Sequence, residues 1–157
     1  SDNSGYHAAD AHTGPIMFQV VPFKAPHLAA IRLQAAQMYL SEWVTMEQGE
    51  ALEQSPSYTA MLDDVPIGAA GVIPIWTGRA MAWSFISDTG PQHFLKCHRA
   101  VKHFLDGCFV QRIEMTVDCD HVEAHRWAKM LGFTMEAERM SAYAPDGHDC
   151  ALYSRVL

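Results

Sequence analysis

The stretch from Arg112 to Arg139 restricts the fold more than any other part of the chain. Arg112-Ile113-Glu114-Met115-Thr116-Val117 alternates polar and apolar residues, the period of a half-buried strand. Ala124-His125-Arg126-Trp127-Ala128-Lys129-Met130-Leu131 then has helical spacing, with Trp127 and Leu131 one turn apart on the apolar side. Gly132 follows, the residue that enters a left-handed C-terminal position without steric cost. Phe133 to Arg139 returns at once to a strand pattern. A strand–helix–strand unit inside one sheet has to cross over with right-handed connectivity, so the segment demands a sheet with a helix laid on its face.

The rest of the chain supplies the other elements. Phe18-Gln19-Val20-Val21 reads as a short strand ended by Pro22, and His27 to Leu40 as a helix begun near Pro26. A second helix runs from Thr45 to Leu52, with Thr45 as its N-cap, and Ser55-Pro56-Ser57 breaks it. Tyr58–Leu62, the Asp63-Asp64 turn and Pro66–Ile73 form a hairpin. Trp76-Thr77-Gly78 turns the chain into Arg79–Ser87, apolar enough for a central strand. Asp88-Thr89-Gly90-Pro91 launches the longest helix, Gln92 to Leu105, which ends at Gly107. The last hairpin sets Phe133–Tyr143 against His148–Val156 around Pro145-Asp146-Gly147. The expected order is β α α β β β α β α β β, an α+β architecture.

Composition excludes several classes of function. With 157 residues, 49% of them hydrophobic and 18% charged, the chain is long and apolar enough to bury a core as one folded domain, residues 17–157. Residues 1–16 show no periodicity and are expected to be a disordered or expression-derived tail. A net charge of −7 without a basic run argues against nucleic acid as a partner. No apolar run approaches the ~20 residues of a membrane span, and no secretory pattern opens the sequence. The scattered Cys97, Cys108, Cys119 and Cys150 read as reduced thiols, so a cytoplasmic location is expected.

Several clusters have an ordinary structural explanation. His121 and His125 are four residues apart beside Asp118 and Asp120, a zinc-compatible spacing without further ligands. Capping of the helix by Asp120 is the preferred reading, and no metal is expected. His98 and His103 do not share a helix face and read as one packed and one surface histidine. Glu42, Trp43, Glu47 and Glu50 read as a solvated helix face, although their charge would also suit a cationic amine. Met38, Met46, Met61 and Met81 read as core filler.

The element order, together with Ala-x-x-Trp-Ala-Lys-Met-Leu-Gly-Phe ahead of the penultimate strand, resembles the GCN5-related N-acetyltransferase (GNAT) superfamily over roughly residues 17–157. Gly71-Val72-Ile73-Pro74, Trp83 and Phe94-Leu95-Lys96 also resemble the small GNAT-like proteins of tailed phages, some of them virion components. The first resemblance implies a mixed, twisted sheet of about seven strands with helices on both faces. It further implies acetyl-CoA as co-substrate and a primary amine, on a small molecule or a protein, as acceptor. Association as a homodimer is compatible with it.

In that scheme Phe85, Ile86 and Ser87 pair with the pantetheine arm. Backbone N–H groups of Gln92, His93, Phe94, Leu95 and Lys96 hold the pyrophosphate, because a helix N-terminus favours anions. His121, its basicity set by Asp118 or Asp120, or a water, takes a proton from the amine, and Tyr143 is the acid candidate. The chain departs from the family pattern twice. Bulky residues stand where its phosphate loop has glycines, and Ala128 stands where many members keep a tyrosine acid. Those departures carry the competing expectation, a catalytically degenerate GNAT-fold phage protein with a structural or host-interaction role, in the host cytoplasm or the virion.

Overall fold

A computed structural model describes residues 14–31, 38, 40 and 45–157. Its strands are β1 (Phe18–Pro22), β2 (Ser57–Leu62), β3 (Val65–Trp76), β4 (Arg79–Ile86), β5 (Arg112–Asp118), β6 (Thr134–Met140) and β7 (Cys150–Val156). Its α-helices are α1 (Ala25–Ala30), α2 (Met46–Glu53), α3 (Phe94–Asp106) and α4 (Val122–Met130). The strands form one sheet in the order β1-β2-β3-β4-β5-β7-β6. β4 and β5 are parallel, as the α3 crossover between them requires, and the other neighbours are antiparallel. This is the α+β sheet expected from the sequence.

Two apolar clusters lie on opposite faces of the sheet, because side chains alternate along each strand. Ala80 and Ala82 of β4 join Val72, Ile113, Val117 and Tyr153 under α3 and α4, which contribute Leu105 and Ala128. Trp83 and Phe85 of β4 join Phe23, Leu28, Ile31, Ala69 and Leu52 on the side of α1 and α2. β4 is therefore covered on both faces.

The end of α4 follows local chemistry. Gly132 has φ of +90°, its N–H donates to the Lys129 carbonyl, and the Phe133 N–H reaches back to that of Ala128. This is the Schellman arrangement, and Phe133 and Leu131 are buried beside it. A second glycine is needed for a different reason. A Cβ on Gly71 would stand 2.6 Å from the Pro56 carbonyl oxygen and 2.7 Å from Ser57 Cβ, so β2 enters the sheet only because position 71 is bare.

Several expectations are corrected. The helix expected from His27 to Leu40 ends at Ala30, and Ile31 is already extended at φ −74° and ψ 121°. Most of the expected remainder, with Glu42 and Trp43, lies outside the described residues, as do residues 1–13 of the expected tail. α3 begins at Phe94 and not at Gln92, because Gly90–His93 winds as a tight 3-10 turn. Asp120 does not cap α4. His121 occupies that position without a side-chain bond, and Asp118 instead accepts from the Asp120 N–H at 2.8 Å. Met38 and Met46 are exposed and do not fill the core. Thr45 does cap α2, accepting from the Gln48 N–H at 3.2 Å.

Candidate active site

The centre of the sheet does not close. β4 and β5 pair through only Arg79–Arg112, Ala80–Ile113 and Met81–Glu114, yet β4 runs on to Ile86 and β5 to Asp118. Beyond the third pair each strand stays in register with its outer neighbour, β3 or β7, so a wedge opens between their C-terminal halves. Its apex is tied by charge. Glu114, 4% exposed, accepts from Arg79 Nη2 at 2.8 Å and from Arg112 Nε at 2.8 Å. These bonds, the one from Arg79 foremost, hold its carboxyl below the usual carboxylate range. Arg112 also forks onto Glu136 of β6.

Of the three expected pantetheine-binding residues, Phe85 packs against Trp83 on the α1–α2 side. Ser87 is buried, and its N–H donates to the Ile67 carbonyl of β3 at 2.9 Å. Since an antiparallel strand turns alternate residues to opposite neighbours, Ala82, Ser84 and Ile86 present their backbone toward the wedge. The Ser87 hydroxyl sits 2.8 Å from that of Thr89 and accepts from the Thr89 N–H, which closes the turn after β4.

At the start of α3 the expected phosphate donors are divided. The N–H of Gln92 donates to the Thr89 carbonyl at 3.3 Å, and that of Phe94 to Pro91. A 3-10 turn ahead of a helix has this consequence, because it spends its own donors on i→i+3 bonds. His93 caps α3 without a side-chain bond, and the side chains of Leu95 and Lys96 are exposed. Lys96 Nζ lies 5.6 Å from the centre of the Phe18 ring, an attraction that draws its charge toward β1. The Phe94 ring stacks on His98 and meets Trp127 of α4 edge-on, each at 5.9 Å between centroids. Trp127 Nε1 donates to His98 Nδ1 at 3.2 Å. His98 is thus the packed histidine and His103 the surface one.

His121 stands three residues past β5, where the wedge opens, with Nε2 3.8 Å from a Glu123 carboxylate oxygen. Of its expected modulators, Asp118 faces elsewhere, toward the Asp120 N–H and His148, which lies 3.5 Å away. Tyr143 is half exposed in the β6–β7 loop, and no hydrogen bond joins it to His121. That loop is moored to the end of β5 by the bond from the Cys119 N–H to the Asp149 carbonyl, so both candidates lie at the same end of the sheet.

Sequence reasoning passed over a polar contact within the core. The Tyr153 hydroxyl, on a fully buried side chain, lies 2.6 Å from His125 Nδ1, and His125 Nε2 lies 3.0 Å from the Cys119 carbonyl oxygen. A carbonyl can only accept, so Nε2 carries the proton and Nδ1 accepts from the phenol. Burial pushes the Tyr153 hydroxyl above the ordinary tyrosine range. No spacing in the sequence marks this pair, since its members are 28 residues apart. The Arg112–Glu114 bond did have a signal, two opposite charges at i, i+2 on one strand face. Ala128 is fully buried in the same cluster as Tyr153.

All four cysteines are free. Among the described residues, no group of three His, Cys, Asp or Glu side chains is placed to hold a metal ion, and no helix is long and apolar enough to cross a membrane.

No protein-family model matches the sequence, and no curated protein does. Solved structures do match. Ard1 from Thermoplasma volcanium is 18% identical with a TM-score of 0.74, over 89% of this chain and 97% of that one. A GNAT-family acetyltransferase from Bacillus anthracis is 13% identical with a TM-score of 0.66, over 88% and 94%. RimL, a ribosomal α-N-protein acetyltransferase in complex with coenzyme A, is 15% identical with a TM-score of 0.63, over 89% and 94%. At these identities the likeness is one of fold, and the fold is that of the GNAT acetyltransferases.

Proposed function

We propose that this GNAT-fold chain is an acyl-CoA-dependent N-acetyltransferase that moves an acetyl group to a primary amine of a small molecule or a protein. The observation that carries the reading is the wedge where β4 and β5 stop pairing after Met81 and Glu114. A strand edge in a protein interior is suited to an extended amide-bearing chain, and coenzyme A carries one in its pantetheine arm. RimL, with the same fold, is named as a complex with coenzyme A and as a protein acetyltransferase, which supports both the co-substrate and the acceptor class.

Acetyl-CoA, when bound, supplies an acyl thioester that an amine nitrogen attacks, forming an amide and releasing a thiol. Phe85, Ile86 and Ser87 form the segment that holds the arm. The pyrophosphate falls to the N–H groups of Leu95 and Lys96 at the start of α3, since Gln92, His93 and Phe94 belong to the 3-10 turn and its closing bond. His121, or a water held by it, takes the proton that the amine loses. Tyr143 is the phenol available at this end of the sheet to protonate the leaving sulfur, because Tyr153 already donates to His125.

One observation favours a second reading, a GNAT-fold protein with a structural or host-interaction role, as in the phage proteins the sequence resembles. Phe94 spans from α3 to Trp127 of α4 and the 3-10 turn consumes phosphate donors, so the cofactor entrance is narrower in donors than the chemistry prefers. Calorimetry with acetyl-CoA decides between the two. Saturable heat, followed by mass-spectrometric detection of acetylated product from an amine and peptide panel, is the expected result. No heat at millimolar acetyl-CoA would remove the enzyme reading and leave the second.

A further inference from the structure

The six residues of α1 are too few to hold a helix by themselves, so its place on the sheet depends on what fastens its first turn. The Phe23 N–H donates to the Ser57 carbonyl of β2 at 3.1 Å, and the Ala25 N–H to a Glu53 carboxylate oxygen of α2 at 3.0 Å. The Lys24 N–H donates to His27 Nδ1 at 3.1 Å. The same nitrogen lies 2.9 Å from the hydroxyl of Thr59, a fully buried residue of β2. A backbone N–H can only donate, so Nδ1 is unprotonated, the ring is neutral with its proton on Nε2, and the Thr59 hydroxyl is a second donor to Nδ1. Phe23, Leu28 and Ile31 share an apolar cluster with Ala69, Trp83 and Phe85 of the sheet, so this turn positions the helix over β3 and β4.

We propose that His27 is an acid-sensitive latch on α1: its neutral ring ties the first turn to β2, and protonation of Nδ1 releases the helix from the sheet. A proton on Nδ1 removes the lone pair that both donors use and sets an N–H against the Lys24 N–H. Among the described residues, the charged groups that face the ring are Lys24, on the same turn, and Glu53 of α2. β2 presents the uncharged Thr59, and the Phe23 ring meets the imidazole edge-on at 6.2 Å. Burial first, and Lys24 beside it, push the His27 pKa below the ordinary histidine range, while Glu53 opposes them. A group with a depressed folded pKa stabilises the docked form above its unfolded pKa, about 6.5 for histidine. That contribution is lost as pH falls through the folded value. Glu53 is itself held below the ordinary glutamate range, foremost by the Ala25 N–H, so its bonds outlast the latch as pH falls. The change is local, because opening one short helix costs far less than unfolding the sheet. It is also independent of any cofactor or acceptor.

Amide hydrogen exchange of the full chain at about pH 7.5 and about pH 5, corrected for the intrinsic rate at each pH, tests it. Residues 24–31 should open on the order of tenfold more readily at the lower pH, while α3 and α4 keep their protection. Nitrogen NMR of the His27 ring should show the proton on Nε2 at neutral pH and a protonation midpoint that tracks the opening of α1. In His27→Gln the side-chain oxygen still accepts at the third helical position, as in a capping box, but does not titrate. Exchange over residues 24–31 should then be the same at both pH values. Equal protection of α1 at both in the unaltered chain, or pH-dependent opening that survives His27→Gln, would overturn the proposal. Should His27→Gln fail to fold, the ring alone decides: a midpoint below the ordinary histidine value supports the latch, and one at or above it overturns it.

Discussion

At Gly132, backbone conformation alone decides which residue can stand there. A φ of +90° is open to glycine and strained for any residue with a Cβ, while the cavity around it is not crowded, the nearest atom to a built Cβ being Arg155 Nε at 3.5 Å. Gly132→Ala should therefore destabilise the fold by about 1–3 kcal/mol through backbone strain and not through a clash. Urea denaturation should show the midpoint lowered with the slope unchanged, and a neutral result would mean that the left-handed position is not held in solution. The glycine was readable in the sequence because its role is local. The partner of Asp118 was not, since two acids before a helix both suggest caps, and only the three-dimensional turn shows Asp118 bonding the Asp120 N–H while neither caps α4.

Between elements, α4 is attached to the sheet by a polar contact as well as by its apolar face. The Tyr153 hydroxyl on β7 donates to His125 on α4, which in turn donates to the end of β5. Tyr153→Phe keeps the ring and leaves a half-buried imidazole nitrogen without its donor, so a loss of about 1 kcal/mol is expected. Nitrogen NMR of the His125 ring should meanwhile still report the Nε2-protonated tautomer, fixed by the Cys119 carbonyl. Full retention of stability would show that water replaces the phenol. The α4 stripe was legible as a helix from Trp127 and Leu131, and the following strand from its alternation. The start of α3 was misplaced by two residues, because Pro91 suits an α-helix and a 3-10 turn equally well and packing of Phe94 on Trp127 settles which forms.

Across the whole molecule, carboxylates are stabilised in their charged form at several separate points. Glu53, Asp106, Glu114, Asp146 and Asp149 are held below their ordinary ranges, and Glu136, through its bonds with Arg112 first, is pushed down to about 2. A group whose folded pKa is depressed contributes stability above its unfolded pKa and loses it as pH falls through the folded value. Denaturant midpoints should thus hold from neutrality to about pH 5 and decline from about pH 4 toward 2, the unfolded range of Asp and Glu lying near 4. Glu136→Gln should flatten the lower part of that decline. A midpoint that does not move over this interval would show that the ion pairs spanning β4, β5 and β6 are absent in solution.

What the residues in order determined was the succession of strands and helices, the stop at Gly132, the turn at Gly147, the Thr45 cap and the resemblance to a fold, because each rests on interactions within a few residues. Which strands are neighbours, where β4 parts from β5, that Tyr153 is buried while Tyr143 is exposed, and that His27 meets Thr59 were decided by the tertiary structure. Those properties depend on contacts between segments tens of residues apart, and local patterning carries no record of them.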